Sequence, residues 1–307
     1  MSLLRKFAIF SQLVIIPTIL SCSIEKDTDI HPLANNLTVT YNCSQFDYSD
    51  SLYFKANTTN DLIVTTTNKL SGSFGALPTG LAINTSNGQI NITRSEAGLR
   101  YKVFFTPQNS KDTCFRYITI SGIDYASGVY NLDNNVLVLN PKYKGLSNFL
   151  PCSDDEEDED DDDDDDDDNE CEFDDDEDDD DGDGTADEPS AGQDVTSKGV
   201  DINKSSGSIN LKNTLKNGAL GANPVNGTFK DFRIFYRLAD NSQKGLNFID
   251  VKIHYFKSAN DIPQNLLDII KKKNLEFGKI SNHNQSNLRL QSVKKRPPDI
   301  IIVGRYN

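Results

Sequence analysis

A mainly β protein is what these 307 residues predict, on three observations. Short segments alternate apolar and polar side chains at period two, the spacing that buries one face of a strand. Through residues 36–150 no stretch repeats at the 3.6-residue period of a helix. A hairpin pattern met near residue 80 recurs 119 residues later. The expected architecture is a β-sandwich over 36–150, a disordered acidic linker over 151–195, and a second β-rich module with one helix over 196–307.

In the first module the expected strands are residues 37–41, 62–66, 101–105, 115–120 and 135–139. Between them Pro78 and Gly80 make a turn, Leu81 and Ile83 face one way, and Ser86, Asn87 and Gly88 close a hairpin. The stretch from Leu77 to Ile90 resembles the immunoglobulin-like domain found in repeats on bacterial surface proteins. There a Pro-x-Gly-Leu-x-Ile strand, a polar turn closed by Gly and a second short strand recur. The resemblance covers about 15 residues, implies an immunoglobulin-like sandwich, and says almost nothing about function.

Residues 80–92 align with residues 199–211, with seven of 13 positions identical. An aromatic segment follows each copy, at 101–105 and at 232–236. Internal similarity of this kind predicts duplicated β-modules. The second copy lacks the Leu77-Pro78-Thr79 lead-in. Downstream, residues 248–256 predict a strand. A helix is expected near 261–274, with Asp261 as its cap, Pro263 in its first turn and Lys271, Lys272 and Lys273 at its C-terminal end. Residues 281–287 read as a polar loop. After Pro297 and Pro298, residues 300–303 are apolar enough for a central strand.

The N-terminus reads as a secretory signal over 1–21. Arg5 and Lys6 precede a mostly apolar run at 7–20 that is too short to span a bilayer as a helix. The run ends Ile19-Leu20-Ser21-Cys22, which resembles the lipobox of bacterial lipoproteins. That resemblance implies a lipid-bearing Cys22 at the mature N-terminus, and more than one acyl chain is what stable anchoring requires. The tether at 22–35 carries Glu25, Lys26, Asp27 and Asp29, similar to the surface-export signal of Bacteroidetes lipoproteins. The implied location is a bacterial outer membrane, facing outward. Cys43, Cys114, Cys152 and Cys171 remain, an even number that favours disulfides outside the cytoplasm. Three pairings are possible, and sequence order favours Cys43–Cys114 with Cys152–Cys171.

Charge is distributed unevenly. The formal net charge of −16 combines 28 carboxylates within residues 154–188 with 19 acidic and 31 basic residues elsewhere. Residues 23–153 are balanced at 10 acidic and 10 basic, whereas 189–307 hold 9 acidic and 19 basic. Consecutive carboxylates repel and cannot form a core, so the run is expected to be expanded and to condense cations. Within it Asp179, Asp181, Asp183, the Thr185 carbonyl and Asp187 fall at positions one, three, five, seven and nine of a loop with Gly184 at position six. This resembles an EF-hand loop and the Asp-rich calcium repeats of thrombospondin type 3. Position twelve is Ser190, where an EF-hand places a bidentate Glu. The resemblance then implies calcium at an extracellular-type affinity of about 10⁻⁴–10⁻³ M.

Signatures of catalysis are absent from the sequence. His31, His254 and His283 have no ligand-spaced partners, and there is no nucleophile elbow or phosphate-cradling Gly loop. The expectation is a non-enzymatic, lipid-anchored surface binding or adhesion protein with a calcium-binding acidic linker. Its partners would be a membrane, through the lipid, and an extracellular protein or glycan; nucleic acid is not expected. The acidic run is also expected to contact the basic C-terminal module near Lys271–Lys273 and Lys294–Arg296. The alternatives are a spacer lipoprotein without a ligand and a glycan-active enzyme with an unrecognised site.

Overall fold

The computed structural model describes residues 41–56, 60–134, 137–147, 150–152, 171–174, 193–274 and 294–305. They form one compact, mainly β unit. The first repeat contains β1 (Leu52–Tyr53), β2 (Ile63–Val64), β3 (Gly72–Leu77), β4 (Ala82–Ile83), β5 (Ile90–Asn91), β6 (Leu99–Pro107) and β7 (Cys114–Ile120). One sheet runs β1-β7-β6-β3 and the facing sheet β2-β5-β4. Period-two burial drives the pairing: Leu99, Tyr101, Val103 and Phe105 of β6 point inward onto Phe46, Phe74, Ile90, Ile92 and Ile118. Phe74 and Phe105 lie with ring centroids 4.7 Å apart. Cys43 and Cys114 are disulfide-bonded, tying the chain before β1 to the start of β7.

The second repeat contains β8 (Gly122–Asp124), β9 (Gly128–Asn131), β10 (Val138–Leu139), β11 (Lys142–Lys144), β12 (Glu172–Phe173), β13 (Ile209–Asn210), α1 (Leu211–Lys216), β14 (Thr228–Arg237), β15 (Asn247–Phe256), α2 (Gln264–Lys273) and β16 (Asp299–Val303). Its main sheet runs β12-β14-β15-β16-β9, and β10 pairs with β13 across the core. The boundary expected at residue 150 is therefore crossed. β9 pairs with β16 and β10 with β13, so residues 128–139 belong to the second sandwich. Chain proximity alone had grouped them with the first.

The duplication is visible bond by bond. In the first repeat Asn84 N–H donates to the Gln89 carbonyl and Gly88 N–H to the Asn84 carbonyl. In the second, Asn203 N–H donates to Ser208 and Gly207 N–H to Asn203. Asn91 Oδ1 accepts from Arg94 N–H, as Asn210 Oδ1 accepts from Asn213 N–H. Ala82 N–H donates to Ser95 Oγ, as Asp201 N–H donates to Thr214 Oγ1. Every one of these pairs is displaced by the same 119 residues seen in the sequence. An incoming tyrosine completes each copy: Tyr48 donates to the Gly88 carbonyl at 2.8 Å and Tyr125 to the Gly207 carbonyl at 2.5 Å.

The repeats diverge in two ways. Asn91 caps one turn, whereas Asn210 caps a six-residue helix, α1, so the second module has two helices where one was expected. In the first repeat β1 pairs directly and in parallel with β7. In the second, β16 lies between β9 and β15, parallel to both. Its five residues are all buried, as an apolar central strand must be. α2 lays Leu266, Leu267 and Ile270 over Phe256, Ile301 and Val303. Its N-cap is Pro263 without a side-chain cap bond; Asp261, expected as the cap, lies in the preceding 3₁₀ turn because Pro263 restarts the backbone after it.

The acidic run is not one linker between modules. Residues 171–174 are anchored in the second repeat, where β12 pairs with β14. Phe173 is buried and stacks 5.9 Å from Tyr236. Glu172 pairs with Lys244 at 2.9 Å and Arg237 at 3.4 Å. The disulfide Cys152–Cys171 joins the two ends of 153–170. The Asp174 carboxylate accepts from Val195 N–H at 2.7 Å, and from Thr196 N–H and Oγ1 at 2.8 Å each, which joins the two ends of 175–194. The run is thus two insertions stapled at their bases. Residues 153–170 and 175–192 themselves lie outside the described residues.

The shared hairpin gives a test of the duplication. Gly88 has φ +74° and a Cβ there would lie 2.6 Å from the Phe74 ring. Gly207 has φ +71° and its Cβ would lie 2.4 Å from Phe173. Gly88→Ala and Gly207→Ala are each expected to cost about 2–4 kcal/mol, from left-handed backbone strain and overpacking. Urea denaturation checks this. A neutral result at either position would contradict the shared cradle.

Candidate functional site: a cationic cleft between the repeats

The outer face of β6 and β7 is cationic by alternation. With Leu99, Tyr101 and Val103 inside, Arg100 and Lys102 stand outside. Each packs diagonally over a ring of β7: Arg100 on Tyr117 and Lys102 on Phe115, both 4.4 Å from the centroid. Opposite them β11 pairs with β8, its exposed Lys142 and Lys144 flanking Tyr143. Tyr143 is turned inward by Asp240, whose Oδ2 accepts from the Tyr143 hydroxyl at 2.9 Å and from Ser121 Oγ at 2.7 Å.

These faces border a cleft of two chambers. The larger, about 670 Å³, is lined by Arg100, Tyr117, Tyr143, Lys144 and Leu150 among others. The smaller, about 420 Å³, shares Arg100, Tyr117 and Lys144 and adds Lys102, Lys142, Lys273 and Lys295. Among the described residues, Asp124 is the one carboxylate that lines either chamber. Burial raises its pKa, opposed by Arg296 and the neighbouring lysines. Not every cation is equally available. Lys273 Nζ is bonded to the Asp299 carboxylate and the Pro297 carbonyl.

Arg296 holds the cleft's two walls together. It is 7 % exposed, so its charge depends on protein partners. Nη2 donates to the carbonyls of Ala97 at 3.0 Å and Ile123 at 2.8 Å, and lies 3.4 Å from Asp124 Oδ1. Gly98, at φ +71°, makes room for this crossing, because a Cβ there would fall 1.9 Å from the Ile123 carbonyl oxygen. Behind Arg296 lies a chamber of about 370 Å³ lined by Lys55, Glu96, Asp250 and Lys294 among others. Burial raises the Glu96 pKa against Arg296 and Lys294. Burial also lowers the Lys55 pKa to about 8, with Glu96 pulling it up and Arg296 pushing it down.

The expected site residues fare differently. Cys22 and the calcium set Asp179, Asp181, Asp183, Thr185 and Asp187 lie outside the described residues. The cysteines pair as Cys43–Cys114 and Cys152–Cys171. Among the described residues no group of three or more His, Cys, Asp or Glu side chains is arranged to hold a metal ion. His254 is a bonded strand residue, its Nε2 2.8 Å from Asp299 Oδ1. Burial pushes the Asp299 carboxyl up, but the bonds from His254 and Lys273 prevail and hold it below the usual range. The basic patch expected at Lys271–Lys273 and Lys294–Arg296 is partly consumed internally by Lys273 and Arg296. Arg100, Lys102, Lys142 and Lys144 were missed, since they sit in a stretch whose charges sum to zero. Their i, i+2 spacing was the available signal, because it puts like charges on one strand face.

No protein-family model matches the chain, and no curated protein matches it in sequence. Fold and cleft together define its class: a β-rich protein of two sandwich repeats with a cationic cleft between them.

Lys55 supplies a pH test of the repeat interface. Its pKa is about 8 folded, against an ordinary value of 10.5. Between these values the unfolded chain binds more protons, so Lys55 makes stability rise with pH across that window. From about pH 7.5 to 9.5 the unfolding free energy of the wild-type chain, measured by urea titration, is expected to rise relative to that of Lys55→Met by on the order of 1–2 kcal/mol. Parallel pH profiles for the two proteins would contradict the lowered pKa of Lys55.

Proposed function

We propose that this is a non-enzymatic binding or adhesion protein, held by a lipid on Cys22 at a bacterial outer surface, that presents the cleft to an anionic extracellular protein or glycan. The observation that carries the reading is the cleft itself. Arg100 and Lys102 project from a strand whose inward neighbours Leu99, Tyr101 and Val103 are buried, and Lys142 and Lys144 flank Tyr143, which is held by Asp240. Their geometry is therefore set before a partner arrives, which lowers the entropic cost of binding. Clustered cations on rigid walls favour anions and speed their approach. The two disulfides support an oxidising, extracytoplasmic setting. Calcium, bound through Asp179, Asp181, Asp183, Thr185 and Asp187, neutralises part of the acidic run and leaves the cleft's charge available to its partner.

Retention on a heparin column in millimolar calcium tests this reading. The wild-type chain is expected to elute at higher sodium chloride than the Arg100→Ser, Lys102→Ser, Lys142→Ser, Lys144→Ser variant. Co-elution of two equally folded proteins would remove the cleft as the binding surface.

A further inference from the structure

We propose that the chamber of about 370 Å³ behind Arg296 is a second binding site, separate from the cleft, for a monosaccharide acid of the hexuronate class. The inference does not depend on what the cleft binds.

The fold leaves the polar groups of this chamber incomplete. Arg296 is buried, and its Nη2 is engaged by the carbonyls of Ala97 and Ile123. Among the described residues its Nε finds no hydrogen-bond partner, and neither does the buried Oε2 of Glu96. Buried donors and acceptors are costly to leave unpaired, the more so when charged. The frame that holds Glu96 is fixed. Its N–H donates to the Gly80 carbonyl at 2.9 Å, and its carbonyl accepts from the Tyr101 hydroxyl at 2.7 Å. Gly80 also clears the slot in which the carboxylate lies, because a Cβ there would collide with Oε2. A ligand carrying both an acceptor and a donor completes the set.

Charge selects which ligand. Of the charged residues lining the chamber, Arg94 is paired with Asp61 at 2.9 Å, and Asp250 with Arg233 at 2.8 and 3.0 Å. Lys55, Lys294 and Arg296 then face Glu96, with Asp124 3.4 Å from Arg296. Three cations against two carboxylates leave one positive charge, which a monoanion balances and a zwitterionic amino acid does not. Glu96 calls for a donor, which a ligand hydroxyl supplies. Phe248, exposed, and Pro297 offer apolar surface to the C–H faces of a ring. Carboxylate, hydroxyls and C–H faces in one small ring describe a sugar acid. Size agrees, since small-molecule sites begin at about 300 Å³. Lys55 makes the site sensitive to pH. Burial lowers its pKa to about 8, with Glu96 raising it and Arg296 lowering it further, and Arg94, Asp250 and Lys294 are the other charged groups around the chamber. An anion beside Lys55 favours its charged form, so affinity is full below pH 8 and falls above it.

Ligand-observed NMR titration of the full chain tests this, with methyl β-D-glucuronide as the probe. Three controls each lack one feature: methyl β-D-glucoside the carboxylate, cyclohexanecarboxylate the hydroxyls, and L-serine the net charge. The glucuronide is expected to bind at least about tenfold more tightly than any of them. Lys55→Met is expected to weaken it about tenfold, and the variant with Ser at 100, 102, 142 and 144 to leave it unchanged. Between pH 7 and 9 the wild-type affinity is expected to fall about five- to tenfold, whereas Lys55→Arg, which keeps its charge, stays level. That second variant carries the test if Lys55→Met does not fold. No binding of the glucuronide at either pH would overturn the site, as would binding lost only in the cleft variant. Equal binding of the glucoside or of cyclohexanecarboxylate, or tighter binding of serine, would overturn the sugar-acid class. The same pH profile in wild type and Lys55→Arg would overturn the placement beside Lys55.

Discussion

The guanidinium of Arg296 is the contact on which the arrangement of the two repeats depends. It is buried, it belongs to the segment entering β16, and it bonds to the carbonyls of Ala97 in the first repeat and of Ile123 in β8, where the second begins. Hydrogen bonds to a charged group are worth about 1.5–3 kcal/mol each. Removing a buried charged partner costs about 3–5 kcal/mol, because the groups left behind stay dry. The rest of the C-terminal segment acts in the same direction. β16 runs between β9 and β15, so it ties β9, the four-residue strand reached soon after the first repeat ends, to a long strand near the end of the second. Position of the cleft walls follows from this clamp, since β6 carries Arg100 and Lys102 and β8 carries β11 with Lys142 and Lys144.

Charge is organised at three levels of burial. Carboxylates within the fold have structural partners: Glu172 pairs with Lys244 and Arg237, Asp174 closes a loop base, and Asp299 holds His254 and Lys273. Of the cations at the interface, Arg296 is buried and Lys55 half-buried, and both are set by neighbouring groups: Arg296 by carbonyls and Asp124, Lys55 by Glu96. Of the cleft's strand-borne cations, Arg100, Lys142 and Lys144 are exposed and Lys102 is half-buried, and Lys144 lies near the place where the acidic insertion leaves the fold. The net charge of −16 describes none of these environments. What it averages is an anionic insertion and a cationic cleft joined covalently.

Much of the fold was legible because it is written in local pattern. Alternation located β6 and β7, aromatic and apolar runs located β14, β15 and β16, and the 119-residue offset located both hairpins down to Asn84 and Asn203. Sequence order anticipated both disulfides. What the sequence hid was long-range. Nothing local to Gly128–Asn131 says that it pairs with residues more than 160 positions later, so the module boundary was misplaced. Glu172 and Asp174 look like any other member of an acidic run, yet Phe173 between them is buried and makes that point an edge strand. The cleft was hidden for a different reason. Its cations come from β6, β11 and the C-terminal segment, and a charge count by segment scores the first two as neutral. Spacing carried the information that the sum discarded.

Arg296, carried on the segment that enters β16, makes the two repeats one cooperative body. Hydrogen exchange followed by mass spectrometry through a urea titration tests it most directly, with β6 and β7 reporting the first repeat and β14 and β15 the second. Both pairs are expected to lose protection in a single transition in the wild-type chain, and Arg296→Met is expected to separate them, with the two repeats opening at different urea concentrations. Separate transitions in the wild-type chain, or a single unshifted transition in Arg296→Met, would contradict it.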